Sequence, residues 1–370
     1  MSEAMFQLGP VSFSLTGRGD DPVYEAVVDE LSVLPTADGR RPPVRFSFVD
    51  ELSTPDQMIH AGRWQLADGV VVGDGWGYQF CMRRRDEGFD VEVAAEPTDR
   101  SMTDHFDRAW DWNFLAPWES TAKNFMYDLF DLVTAAALVE RKASYLHAST
   151  CARDGAAVAL IAWGGVGKTT SVLKLVTEDG WRFLSDDLGL VDDEGRLWRT
   201  PRKLQVYAYN VEGEPALRRR VMEGRGPIDR VNWHWRLARF GPKKVRRRIG
   251  AEALFGDDSV AEVAPLKKAI FLERVDVDAI RWQEIGVEAL ARRSATILVD
   301  ELDTLVAVAV AAESHGVDVG IPGLDELRET MTEILVEAFE GVPAVRLQIP
   351  IDAGPDALAD ALRQKLPASG

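Results

Sequence analysis

Lys168 and Thr169 end the segment Ala162-Trp163-Gly164-Gly165-Val166-Gly167-Lys168-Thr169, which a second threonine, Thr170, follows. Glycines let backbone N–H groups turn inward around phosphate oxygens, and a helix that starts there adds its partial positive charge. Gly164, Gly165 and Gly167, with Val166 among them, meet that need, although Ala162 stands where the phosphate-loop pattern has its first glycine. In such a loop the lysine reaches the β- and γ-phosphates and the threonine hydroxyl coordinates Mg²⁺. Residues Gly164 to Thr170 are therefore candidate nucleotide ligands, with ATP and Mg²⁺ as the expected cofactors.

Asp186 and Asp187 close the stretch Arg182-Phe183-Leu184-Ser185. Ligands of open α/β sheets gather at the carboxyl ends of strands, beside such a loop. One carboxylate there can hold Mg²⁺ while the other takes a proton from an attacking hydroxyl, because both tasks need an ionised oxygen near the γ-phosphate. The residues do not fix which does which. The working assignment takes Asp186 as base and pairs Asp187 with Thr169 at the metal.

Elements that would position these groups follow from local chemistry. Tyr145 to Cys151 and Ala156 to Ala162 predict strands around the Arg153-Asp154-Gly155 turn, and Val172, Leu173, Leu175 and Val176 predict a short helix that ends at Gly180. Trp181 to Ser185 predicts the next strand, and Asp192 to Gly195 the turn of a further hairpin. Later, residues 286–312 and Leu324 to Ala338 predict helices, Val345 to Ile349 a strand and Pro355 to Leu366 a last helix. Upstream, Phe125, Leu129, Leu132, Val133 and Ala136 predict a helix of about 20 residues from a Ser120-Thr121 cap. Val11 to Leu15, Val44 to Val49 and Val91 to Ala94 alternate as in an antiparallel β-rich region, with a turn expected at Gly73 to Gly75.

Leu146-His147-Ala148-Ser149, Gly165-Val166-Gly167-Lys168-Thr169 and Phe183-Leu184-Ser185-Asp186-Asp187 together resemble the catalytic domain of HPr kinase/phosphorylase and its relatives, which include kinases that modify lasso peptides. The resemblance is strong over about residues 144–207, general from there to the C-terminus, and absent from 1–120. It implies an α/β fold, a P-loop kinase domain of the HPr kinase type with a mixed sheet over 121–370; the alternating pattern upstream adds a smaller β-rich domain over 1–120 before it. It also implies catalytic roles for Lys168, Asp186 and Asp187 and places His147 near the transferred phosphate. Arg202 and Lys203 occupy the position where the family carries phosphate-facing cations. The signature stretch that supports phosphorylase activity is not recognisable, which argues against HPr itself as substrate.

Residues 202–248 hold 14 Lys or Arg against 4 acids, interleaved with Trp233, His234 and Trp235. Such a segment can close over ATP or dock an anionic acceptor, or it can be a solvated helical face. No nucleic-acid fold signature accompanies it.

With 370 residues, 46% of them hydrophobic and 28% charged, the chain can bury a sizeable core in about two domains. A net charge of -17 argues against a surface that wraps nucleic acid or anionic membrane. No membrane-length apolar run occurs, and because Met1 to Pro10 lacks a basic and an apolar region no secretory signal is expected. Cys81 and Cys151 are the only cysteines, too few for a disulfide framework, so a reducing cytoplasm is the expected compartment. The expected activity is transfer of the γ-phosphoryl group of ATP to a hydroxyl of a peptide, protein or small molecule. A non-catalytic nucleotide-binding module and a nucleic-acid-associated NTPase are the alternatives, and a homo-oligomer is compatible with all three.

Overall fold

A computed structural model describes residues 1–37, 42–97 and 107–366 of the chain. It is a mixed α/β structure in which two large sheets are joined through one buried helical segment. Within the described residues no helix is long and apolar enough to cross a membrane.

The first sheet has eight strands: β1 Ser2–Leu8, β2 Val11–Gly17, β3 Val44–Phe48, β4 Ile59–Ala61, β5 Trp64–Ala67, β6 Val70–Gly75, β7 Tyr78–Arg85 and β8 Gly88–Ala95, in the order β1-β2-β3-β8-β7-β6-β5-β4. The antiparallel expectation for this region is corrected at β3, which runs parallel to both β2 and β8. Its cause is a crossover helix, Pro22–Leu31, that buries Val23, Tyr24, Val27 and Leu31. The Asp21 carboxylate accepts from the N–H groups of Val23 and Tyr24 and Pro22 fills the first turn, the usual start signal for a helix. The expected turn at Gly73 to Gly75 is also corrected, to Trp76-Gly77. Gly73 instead pairs with Phe80 inside β6, where a Cβ would come within 2.4 Å of the Trp64 ring.

The helix expected after Ser120 begins earlier. Pro117 opens it and Glu119 accepts from the Ala116 N–H at 2.7 Å, so Ser120 and Thr121 are interior. It runs as Pro117–Phe125, a π turn at Met126–Phe130 and Asp131–Val139. Phe125 and Phe130 pack against Phe46 and Phe13 of the first sheet. Leu132 to Leu138 are buried in the same apolar cluster as Leu290, Leu298 and Leu335 from later helices.

The second sheet is mixed: β9 Ala143–Leu146, β10 Ala148–Arg153, β11 Ala156–Ile161, β12 Arg182–Ser185, β13 Gly189–Asp192 and β14 Arg196–Trp198 surround a long later strand, Val263–Val275. That strand pairs with β14 at its start and runs parallel to β11 farther on. β10 is antiparallel to both β11 and β12, so those two point the same way. The strand expected over Tyr145 to Cys151 is broken at His147, where the chain leaves the β9–β13 branch of the sheet for the β10–β11 branch. Between β12 and β13 the chain crosses back at Asp186-Asp187. The two crossings face each other where the sheet splits.

Much of the basic segment is structural. Arg247 donates to Asp229 at 2.8 Å, Arg236 donates to the Ala109 and Trp110 carbonyls, and Trp233 is buried. Arg218, Arg219, Arg239, Lys243 and Lys244 remain exposed. Arg248 donates to both Glu30 oxygens, at 2.8 and 3.0 Å, in a buried pair that ties the crossover helix to a small two-stranded antiparallel sheet formed by Leu204–Tyr207 and Arg246–Ile249. Breaking a buried pair from one side leaves an uncompensated charge. Glu30→Ala is expected to lower stability by about 3–5 kcal/mol in denaturant unfolding, and a loss under 1 kcal/mol would contradict this account of the pair.

Candidate functional site

β11 delivers the chain into the glycine loop and helix Lys168–Asp179 carries it away. Gly165 at φ 76° and Gly167 at φ 118° occupy left-handed backbone that glycine alone takes up readily. Ala162 is not among the positive-φ residues and is fully buried. The missing first glycine is therefore no obstacle at this position. Among the described residues no side chain caps the helix that starts at Lys168, which leaves its first N–H groups without a side-chain partner, an arrangement that suits an anion.

That cavity has a volume of about 700 Å³. His147, Gly164, Gly165, Gly167, Lys168, Thr169, Thr170, Asp186, Asp187 and Lys203 all line it. Two expected residues do not. Val166 packs into the apolar cluster beneath the loop, and Arg202 lies partly buried beside Asp187, donating to it.

The two aspartates differ in surroundings. Asp186 is buried, accepts from the Ser149 hydroxyl, and receives the Thr169 hydroxyl 3.0 Å from each of its oxygens. Burial raises its pKa, and the Ser149 and Thr169 hydroxyls act in the opposite sense. Thr169 is thus paired with Asp186, whereas the sequence assignment had paired it with Asp187. Asp187 sits at φ 73° with its side chain 46% exposed. A non-glycine residue held in that region is typical of constrained functional positions. Its Oδ2 accepts from Arg202 at 3.2 Å.

Arg202 also pairs with Asp131 and lies 4.0 Å over the Tyr127 ring, so the π turn and the helix after it anchor the guanidinium. Burial opposes its charge, but Asp131 ahead of Asp187 outweighs that and keeps it cationic. Lys203, by contrast, donates to Asp29 at 2.7 Å on the crossover helix while still bordering the cavity.

Lys168 folds back onto its own loop, donating to the carbonyls of Ala162 at 2.7 Å and Trp163 at 3.1 Å, with His147 Nε2 at 2.7 Å. Burial lowers the ammonium pKa to about 8 against the pull of Asp186, Asp187 and Glu301. Burial first and Lys168 second depress the His147 imidazole to about 4, so it is neutral near pH 7.

Several residues at the site carried no signal in the sequence, among them Gln205, Tyr207 and Tyr209 of the cavity wall. Glu301 ends helix Val287–Glu301 with its carboxylate 3.4 Å from His147. Arg274, at the end of the long strand, holds the Val166 carbonyl and those of Pro350, Ile351 and Ala353. Asp131 and Tyr127 read only as helix positions. Ser149 was legible as part of the motif at 146–149, although not its bond to Asp186.

No family model matches the chain, and no curated protein does. A search of solved structures finds the HPr(Ser) kinase/phosphatase from Coxiella burnetii at 12% identity, with a TM-score of 0.28, covering 60% of this chain and 95% of that one. At that distance the chemistry of this chain rests on its own side chains.

Proposed function

We propose that the chain is an ATP-dependent phosphotransferase that moves the γ-phosphoryl group to a hydroxyl, with its P-loop catalytic part in residues 121–370. The observation that supports this best is the division of labour between Asp186 and Asp187 beside one glycine loop. Nucleotide phosphates would meet the N–H groups of the loop and draw Lys168 away from the Ala162 and Trp163 carbonyls. The hydroxyl of Thr169 and the carboxylate of Asp186 are hard oxygen donors that fit Mg²⁺. Mg²⁺ bound there would neutralise charge on the β- and γ-phosphates.

Asp187, half-exposed and hydrogen-bonded among the described side chains through Oδ2, is then the carboxylate left for the acceptor. The acceptor oxygen forms a bond to the γ-phosphorus, the bond from that phosphorus to the β-phosphate oxygen breaks, and the hydroxyl proton passes to Asp187. ADP leaves. Arg202 orients Asp187 by donating to its Oδ2. This exchanges the roles first assigned to the two aspartates.

The β-rich part, residues 1–120, would face the acceptor. A second cavity of about 790 Å³, between the crossover helix and the start of helix Pro227–Phe240, shares Lys203 with the first and would take the acceptor peptide, protein or small molecule. Nucleotide titration against Mg²⁺ tests the metal pair. Thr169→Ala should raise the Mg²⁺ requirement for ATP binding, while Thr170→Ala, whose hydroxyl instead accepts from Asn210 at 2.8 Å, should raise it less. Equal shifts in the two variants would contradict the assignment.

A further inference from the structure

Beside the Thr169–Asp186 pair, three ligating side chains converge from three separate elements. His147 comes from the break between β9 and β10, Asp187 follows β12, and Glu301 ends its helix. One donor atom from each lies within 4.8 Å of the others. His147 Nε2 is 3.4 Å from Glu301, and Nδ1 is 4.0 Å from Asp187 Oδ1. Donors bound to one ion at about 2.1 Å lie roughly 3–3.4 Å apart, so closing the set around a single ring nitrogen, Nδ1, draws Glu301 and Asp187 in toward it.

A second observation points to a ligand. His147 is 2% exposed, and its Nδ1 has no hydrogen-bond partner among the described residues, although polar atoms at that depth are nearly always satisfied. Lys168 Nζ lies 2.7 Å from the other ring nitrogen, Nε2, so Nδ1 offers its lone pair to an ion in the tautomer that carries the proton on Nε2, with Lys168 accepting from that N–H as a neutral amine. On Asp187, Arg202 takes Oδ2, and Oδ1 is the oxygen turned toward the imidazole. Two carboxylates held this close repel each other, and a shared cation removes that cost.

We propose that His147, Asp187 and Glu301 form a binding site for a divalent first-row transition-metal ion, distinct from the Mg²⁺–nucleotide position at Thr169 and Asp186. One imidazole with two carboxylates suits Mn²⁺, Fe²⁺ or Zn²⁺, whereas Mg²⁺ keeps to oxygen and water. With an ion in place Asp187 is a ligand, so loaded and unloaded protein differ in which group can take the acceptor proton. The site does not depend on phosphotransfer, because it can be filled without nucleotide.

The test is Mn²⁺ titration of the full chain in excess Mg²⁺ without nucleotide, followed by electron paramagnetic resonance with spin-echo detection of nitrogen coupling. One Mn²⁺ per chain should stay bound and show imidazole coupling. His147→Gln should remove the coupling, and His147→Gln and Glu301→Gln should each weaken binding by roughly tenfold or more, while Thr169→Ala leaves it unchanged. Circular dichroism establishes that each variant is folded, and the nitrogen coupling of the parent protein needs no variant at all. Displacement of Mn²⁺ by Mg²⁺, absence of nitrogen coupling in the parent, or loss of Mn²⁺ in Thr169→Ala would overturn the proposal.

Discussion

Asp187→Asn is expected to slow phosphoryl transfer by roughly 10²–10⁴ while leaving ATP affinity within a few-fold. Asn keeps the shape of the side chain and can still hydrogen-bond, but it cannot take up the hydroxyl proton. The nucleotide should not register the change, because Thr169 pairs with Asp186 and not with Asp187. Asp186→Asn should show the other phenotype, a weaker Mg²⁺-dependent affinity for ATP together with slower transfer. Titration of nucleotide and transfer from radiolabelled ATP, run on both variants, separate the two roles. A pure nucleotide-binding module has no use for Asp187, so transfer by Asp187→Asn at the parent rate would favour that reading. Exchange of the two phenotypes would keep the chemistry and restore the first assignment of base and metal carboxylate.

Lys168→Ala is expected to weaken ATP binding by roughly 10- to 100-fold, the scale of a lost hydrogen bond to a charged group, and to abolish detectable transfer. The parent protein offers a second readout. Its Lys168 ammonium is depressed to about 8 by burial, and phosphate oxygens would favour the charged form and raise that value. Binding at or slightly above pH 8 should therefore take up protons. Calorimetry in buffers of different ionisation enthalpy measures that uptake. Lys168→Ala should show less uptake than the parent, and equal uptake in both would remove Lys168 from the phosphate site.

The glycine loop, its helix and the Asp186-Asp187 pair were legible because each depends on local backbone chemistry: Gly165 and Gly167 at positive φ, and Gly180 as the left-handed cap. Glu301 and Arg274 were not. They reach the cavity from the ends of elements more than 100 residues away in sequence, and nothing in their neighbourhoods distinguishes them from other charged residues. Spacing identified Asp186 and Asp187 together but could not separate them, since their difference lies in the Ser149 and Thr169 hydroxyls around one and the Arg202 guanidinium beside the other. The parallel placement of β3 was missed although Val23, Val27 and Leu31 lie at helical spacing, because the alternating strands on either side dominated that region. The charge of residues 202–248 was plain, but which arginines are paired inside the fold depends on partners as distant as Glu30.

Transfer of label from ATP to an acceptor tests the central claim most directly. The parent protein, incubated with Mg²⁺ and cell extract, should pass label from γ-labelled ATP to an extract component in a covalent, Lys168-dependent form, and should pass none from α-labelled ATP. Release of γ-label only as inorganic phosphate, or equal labelling from both positions, would contradict a phosphotransferase acting on a hydroxyl.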